Sequence, residues 1–168
     1  MRNQLKTSIL ALADADINFV IAGGVAAVLH GVERLTMDLD IALDLSIANV
    51  DKFVSVMKQL KLTPRVPVPP EILADPEKVR WIVEEKHAVV FTFWDIDDPF
   101  RHIDVFLAKN LSFEIFAEDA DIVEFEGRKV KVVSRRKLID IKQQVFPPRP
   151  KDIQDIEELK RLMADDND

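Results

Sequence analysis

Apolar positions along the chain recur at two spacings, and the switches between them lay out the elements. Leu5, Ile9 and Leu12 stand at helical spacing within residues 2–14, which predicts an amphipathic helix. Phe19-Val20-Ile21 is a short, partly β-branched apolar run suited to a buried strand. Gly23-Gly24 then marks a turn, Val25 to Leu29 favour a short helix, and Gly31 is placed to cap its C-terminus. A second strand is expected next, with Met37, Leu39 and Ile41 on one face and Asp38 and Asp40 on the other. Beyond a start signal at Ser46 or Asn49, Val50, Phe53, Val54, Met57 and Leu60 form the stripe of a helix that covers one sheet face.

The second half is more broken. Pro64, Pro67, Pro69, Pro70 and Pro76 interrupt residues 63–80, leaving room for a helical turn or two over Glu71 to Val79. Such a segment is either a lid or a variable insertion. Trp81 to Trp94 reads as strand-rich, and Ala88–Trp94 is expected to pair with Arg101–Leu107 across the turn Asp95–Pro99. Ile122–Val133 reads as a two-strand ribbon turning at Glu126-Gly127. Ser134 then caps a helix carrying Leu138, Ile139, Ile141, Lys142 and Val145, which Pro147-Pro148 ends. In the last helix Ile153, Ile156, Leu159 and Met163 should face inward. The fold expected is α/β (α+β): a small mixed sheet with helices on one side and C-terminal helices. It divides into a core of residues 1–133 and a C-terminal helical segment, 134–168, packed on that core as a single domain.

Composition narrows the chemistry. The chain has 168 residues, 48% apolar and 32% charged, which suits one soluble globular domain. Cysteine is absent, so disulfides, zinc–thiolate sites and thiol catalysis are excluded. With only His30, His87 and His102, a histidine-rich metal site is not expected. No apolar run reaches a membrane span and no signal-peptide layout is present, so a cytoplasmic location without membrane attachment is expected. A net charge of −7 argues against bulk binding of nucleic acid. Yet residues 128–151 hold nine basic side chains against one acid, Asp140. A local patch of this kind suits a phosphate-bearing ligand, or else is a solvated helix face.

The candidate chemistry centres on carboxylates. Asp38 and Asp40, side by side on a half-buried strand, repel each other unless cations neutralise them. A pair of divalent ions would do so, and such a site handles phosphoryl or nucleotidyl transfer. The bland alternative is an exposed strand-edge pair beside a plain tight turn. Gly23-Gly24 allows close backbone approach, and the helix amides beyond it attract an anion such as a triphosphate. Arg34 and Thr36 alternate in phase with the aspartates, so Arg34 either meets phosphate or forms a structural ion pair. His30 reads as a capping or packing residue rather than a base. Asp104, between Ile103 and Val105, needs a partner: a metal, or a salt bridge with Arg101 or Arg34.

Gly23-Gly24, a spacer, and Asp38-Leu39-Asp40-Ile41 resemble the signature of the DNA polymerase beta superfamily of nucleotidyltransferases, with Ala22 a weak version of its hydrophobic position. The fuller run of His30-Gly31, Arg34, Thr36 and the aspartates is similar to the small prokaryotic members, the abortive-infection (AbiE-type) toxin nucleotidyltransferases and the antibiotic nucleotidyltransferases. The resemblance covers residues 20–107 apart from 61–90, and 130–160 loosely. It implies that Asp104 is the third carboxylate, on the strand beside Asp38 and Asp40, and that the three hold two Mg²⁺ ions. With strands about 4.8 Å apart, three such carboxylates converge on ions about 3.5–4 Å from each other. The tail, with Lys142 and then Arg149, Lys151, Asp152 and Asp155, resembles the lysine-bearing helix and the Arg-x-Lys-Asp-x-x-Asp run of the same group. That implies phosphate contacts from Lys142 and an ordering role for Asp152; read from the residues alone, Asp152 and Asp155 are first-turn acids favoured by the helix dipole. The activity implied is transfer of a nucleoside monophosphate from a triphosphate to a hydroxyl. The acceptor stays open between tRNA, protein and a small molecule, and an antitoxin or self-association partner is possible in this group. A nucleotide-binding or partner-binding module without turnover is the rival reading.

Overall fold

Within residues 3–165, which the computed structural model describes, α1 (Asn3–Asp14) leads through β1 (Phe19–Ile21) and α2 (Gly23–Leu29) to β2 (Leu39–Leu43) and α3 (Ile47–Gln59). Then come β3 (Thr63–Pro64), a 3₁₀ turn (Pro70–Ala74), α4 (Pro76–Lys86), β4 (Val90–Trp94) and β5 (His102–Phe106). A second 3₁₀ turn (Lys109–Leu111) and α5 (Phe113–Ala117) precede β6 (Asp121–Phe125), β7 (Arg128–Val132), α6 (Arg135–Gln143) and α7 (Pro150–Asp165). The seven strands make one mixed sheet in the order β3-β4-β5-β2-β1-β7-β6. Two parallel pairings, β2 with β5 and β1 with β7, tie the hairpins together. The fold is the expected small mixed sheet with flanking and C-terminal helices.

Strand alternation sorts the sheet into two unlike faces. Leu39, Ile41, Ile103, Val105, Phe91 and Phe93 are buried on one of them. There α3 sets Phe53 edge-on against Phe93, ring centroids 5.2 Å apart, and α1 packs beside α3. The opposite face carries Asp40, Asp104 and Phe106, and α5 seals part of it through an edge-on contact of Phe116 with Phe106 at 6.1 Å. Helices α6 and α7 pack on each other, and α6 also meets α2. One sheet face is therefore a core and the other is left partly open for polar side chains.

Several expected details hold. The hairpin β4–β5 pairs antiparallel, and the ribbon β6–β7 turns at Glu126 (φ 49°) and Gly127 (φ 78°). Ser134 accepts a hydrogen bond from the Lys137 amide, 3.2 Å, as the cap of α6. Others are corrected. Residue 2, expected to begin the first helix, lies outside the described residues. Met37 and Asp38, expected on the second strand, precede it; β2 begins only at Leu39. Trp81 belongs to α4 rather than to a strand-rich stretch, because Asp75 caps that helix at the Glu77 and Lys78 amides and Pro76 starts it. The proline-rich segment is no loop over the polar face: its 3₁₀ turn packs on α3, and β3 forms the sheet edge beside β4. In α7 Leu159 is buried and Ile156 and Met163 pack against the core as expected, but Ile153 is 47% exposed, and Asp152 and Asp155 are buried on the inward side.

Candidate active site

The register of two strands brings the acids together. In the parallel pair β2–β5, Leu39 stands opposite Ile103 and Asp40 opposite Asp104. Asp38 precedes β2 by one residue and so stands level with His102. The Thr92 hydroxyl, on the far side of β5, donates to Asp104 Oδ1 at 2.6 Å and fixes that carboxylate. Neither cation suggested for Asp104 serves it: Arg101 pairs with Asp95 at 3.0 Å, and Arg34 pairs with Asp155. Burial, together with the charges of Asp38 and Asp104, pushes the Asp40 carboxyl up to about 6, although Lys142 and Lys151 pull the other way. Asp38 and Asp104 fit the donor set of a divalent metal, whereas Asp40, expected as a third ligand, lies outside the group of ligand atoms within 4.8 Å of one another.

One donor was missed from sequence. The ligand atoms of Asp38, His102 and Asp104 all lie within 4.8 Å of one another, and all three residues are half-buried. The signal was present: His102 stands two residues before Asp104 on one strand, hence on its face. It was set aside because three histidines in the chain do not make a histidine-rich site.

The glycine turn is shaped first by the protein's own side chains. Gly23 adopts φ +60°, and a Cβ there would sit 1.9 Å from Asp40 Oδ2. A Cβ on Gly24 would lie 2.7 Å from Thr36 Oγ1 and 3.2 Å from Arg34 Nη2. The Thr36 hydroxyl is buried without a hydrogen-bond partner. His30 ends α2 and donates from Nε2 to the Val133 carbonyl at 2.8 Å, and burial pulls its pKa down despite that bond and Asp121. This is the capping and packing role expected of it.

The basic tail does not form one surface. Lys142 is buried and bridges Asp152 (2.9 Å) and Asp155 (2.7 Å), while Arg149 also pairs with Asp152. Burial alone would raise the Asp152 pKa, but hydrogen bonds from Arg149 and Lys142 prevail and hold it below the usual carboxylate range. Arg128 is bound to Asp14 at 2.8 Å, on the α1 side. Arg135 and Arg136 line a separate shallow hollow of about 620 Å³ with His30, Asp119 and Asp121, which holds none of the three acids.

A more enclosed cavity of about 380 Å³ lies over the acids. Its wall includes Gly23, Gly24, Arg34, Asp38, Asp40, Asp104, Lys142, Arg149, Lys151 and Asp152, with Val89, Phe106 and Leu111 on an apolar side. Of the residues singled out from sequence, Thr36, Asp155, His30 and Gly31 do not line it. A cavity whose wall carries both carboxylates and cations has the polarity for a metal-bound polyphosphate.

No protein-family model matches the chain, and no curated protein matches it in sequence. Solved structures do resemble it. The lincosamide antibiotic adenylyltransferase LnuA, lincomycin-bound, superposes with a TM-score of 0.65 at 15% identity, covering 96% of this chain and 98% of that one. The solution structure of the antibiotic-resistance factor ANT(2'')-Ia gives 0.57 at 14%, covering 98% and 89%. An antigenic nucleotidyltransferase-like protein from Paracoccidioides brasiliensis gives 0.53 at 18%, covering 95% and 77%. The chain has a nucleotidyltransferase-like fold.

Proposed function

We propose that this protein is a metal-dependent nucleotidyltransferase of the DNA polymerase beta superfamily, moving a nucleoside monophosphate from a nucleoside triphosphate to an acceptor hydroxyl. The observation that carries this reading is Asp40 set beside Asp104 on paired parallel strands, with Asp38 completing the trio below a cavity walled by cations. Divalent ions held by Asp38, Asp40 and Asp104 would supply charge to the triphosphate and acidify the acceptor hydroxyl. Lys151 and Arg149 would meet phosphate oxygens, while Arg34 and Lys142 brace the cavity wall through Asp155 and Asp152. Asp104, steadied by Thr92, receives the acceptor proton. The acceptor oxygen then bonds to the α-phosphorus as the bond to the pyrophosphate oxygen breaks.

For the acceptor, the net charge of −7 opposes the approach of RNA, and the cavity's apolar side suits a small hydroxyl-bearing molecule of the antibiotic type. The lincomycin-bound neighbour is a precedent for that class of acceptor on this fold. Transfer to tRNA or to a protein hydroxyl would instead support the AbiE-type toxin role and an antitoxin partner. A nucleotide-binding module without turnover is the second reading, favoured by one fact: Lys142 and Arg34 are already neutralised by carboxylates.

The test is label transfer from α-³²P nucleoside triphosphates to a panel of aminoglycosides, lincosamides, tRNA and the protein itself, with Mg²⁺ or Mn²⁺. Transfer by the wild type that falls about 10³-fold or more in Asp104→Asn supports the proposal, since such a loss matches removal of a group acting on transition-state charge. Nucleotide binding without transfer to any acceptor supports the silent module.

A further inference from the structure

We propose that His102 is a direct ligand of the ion held at Asp38 and Asp104, and that its imidazole tunes this position to a first-row transition divalent such as Mn²⁺ in preference to Mg²⁺. The inference rests on the metal-dependent reading above and goes beyond the two Mg²⁺ ions implied by three carboxylates.

Placement comes from register. His102 and Asp104 alternate onto one face of β5, and Asp38 stands level with His102 across the parallel pair. The three sets of donor atoms lie within 4.8 Å of one another. Two atoms bound to one ion at about 2.1 Å each are roughly 3–4 Å apart, so rotamer-scale closure completes a site. Asp40 is excluded from this trio, and its carboxylate is turned under Gly23, where a Cβ would sit 1.9 Å from Oδ2.

The imidazole has no competing duty. Among the described residues no hydrogen bond or ion pair to a protein group engages the His102 ring. The neighbouring cation, Arg101, is tied to Asp95 at 3.0 Å rather than to Asp38 or Asp104. Thr92 holds Asp104 from behind at 2.6 Å, the kind of outer hydrogen bond that orients a metal ligand. Chemistry then sets the preference. Mg²⁺ keeps oxygen ligands and its waters, whereas affinity for an imidazole-bearing site rises through the first-row divalents, of which Mn²⁺ is the weakest binder and also at home with carboxylates.

The probe is Mn²⁺ added to the full chain, read by pulsed electron paramagnetic resonance and by titration of bound against free ion. Expected is a nitrogen modulation on bound Mn²⁺ that changes on ¹⁵N-histidine labelling and vanishes in His102→Gln. That variant should also bind Mn²⁺ on the order of tenfold more weakly. Its Mg²⁺ affinity should change less, so Mg²⁺ displaces Mn²⁺ more readily than in wild type. If Mn²⁺ binds wild type and is lost in Asp104→Asn, but no nitrogen modulation is seen, His102 is not a ligand and the carboxylate site stands alone. If wild type binds no Mn²⁺, both readings fall. The labelled wild-type spectrum decides the question even where His102→Gln misfolds.

Discussion

At the scale of single residues, Asp40 is the most instructive, because its environment and its proposed role pull in opposite directions. Its carboxyl titrates near 6 in the folded chain against an ordinary 3.8, so the native state holds a proton that the unfolded state has released between those values. Native stability therefore falls as pH rises through that window, and above it the charged carboxylate is a standing cost of up to about 3 kcal/mol. Asp40→Asn should stabilise the metal-free protein at pH 7.5, raising Tm by roughly 5–10 °C, and change little at pH 4. Thermal melts in chelator at both pH values test it; equal shifts at both would mean that burial is not what Asp40 suffers. Divalent ions should stabilise wild type and act less on Asp40→Asn. Gly23 supplies a second check. Gly23→Ala combines left-handed strain with collision into Asp40 and should cost about 2–5 kcal/mol. Gly127→Ala, equally left-handed at φ +78° but with open space around it, should cost only about 1–2 kcal/mol. Similar losses in chemical denaturation would remove the case that Gly23 makes room for Asp40.

At the scale of elements, α6 and α7 are joined by charge as much as by apolar packing. Lys142 of α6 lies buried between Asp152 and Asp155 of α7, and Arg34 reaches Asp155 from the segment before β2. Lys142→Met leaves two buried carboxylates short of a cation and should cost about 3–5 kcal/mol. Arg149→Ala removes a half-exposed partner and should cost about 1 kcal/mol or less. A urea titration of both variants separates them, and equal costs would show that burial at Lys142 is not decisive. This network also marks where sequence reading runs out. Period-two alternation gave β2 and β5, and with them Asp38, Asp40 and Asp104, because an acid amid β-branched residues stands out against its strand. Of the α7 stripe, Leu159 is buried and Ile156 and Met163 pack against the core, while Ile153 is exposed and the acids Asp152 and Asp155 are buried beside them. The cations that let those acids be buried arrive from α6 and residue 34, and that is long-range information. Strand pairing is of the same kind: the neighbourhood of His102 and Asp38 depends on the parallel register of β2 with β5, whose paired residues are 64 apart in sequence.

At the scale of the whole molecule, the same contacts bear on whether residues 134–168 are an appendage or part of one folding unit. The last strand, β7, runs parallel to β1 and ends at Val132; Val132 and the Val133 that follows it are fully buried, and Val133 accepts the hydrogen bond that fixes His30 at the end of α2. Leu138 and Leu159 are buried with the core, and the Leu162 side chain approaches Gly31. Arg34, which pairs with Asp155, also stands against the Gly24 turn. Losing α7 therefore strips partners from the turn that positions Asp40, and the carboxylate end of the cavity should not survive it. Two reporters lie far apart for testing this. Trp81 and Trp94 sit in α4 and β4, toward the β3 edge, whereas much of the helical signal comes from α6 and α7. If the chain is one cooperative unit, tryptophan fluorescence and far-ultraviolet circular dichroism should give superimposable unfolding curves in urea, with one midpoint and one slope. A helical transition that precedes the fluorescence change would mean that residues 134–168 unfold from a persisting core, and the site would then be assembled by docking of the tail rather than built into the sheet.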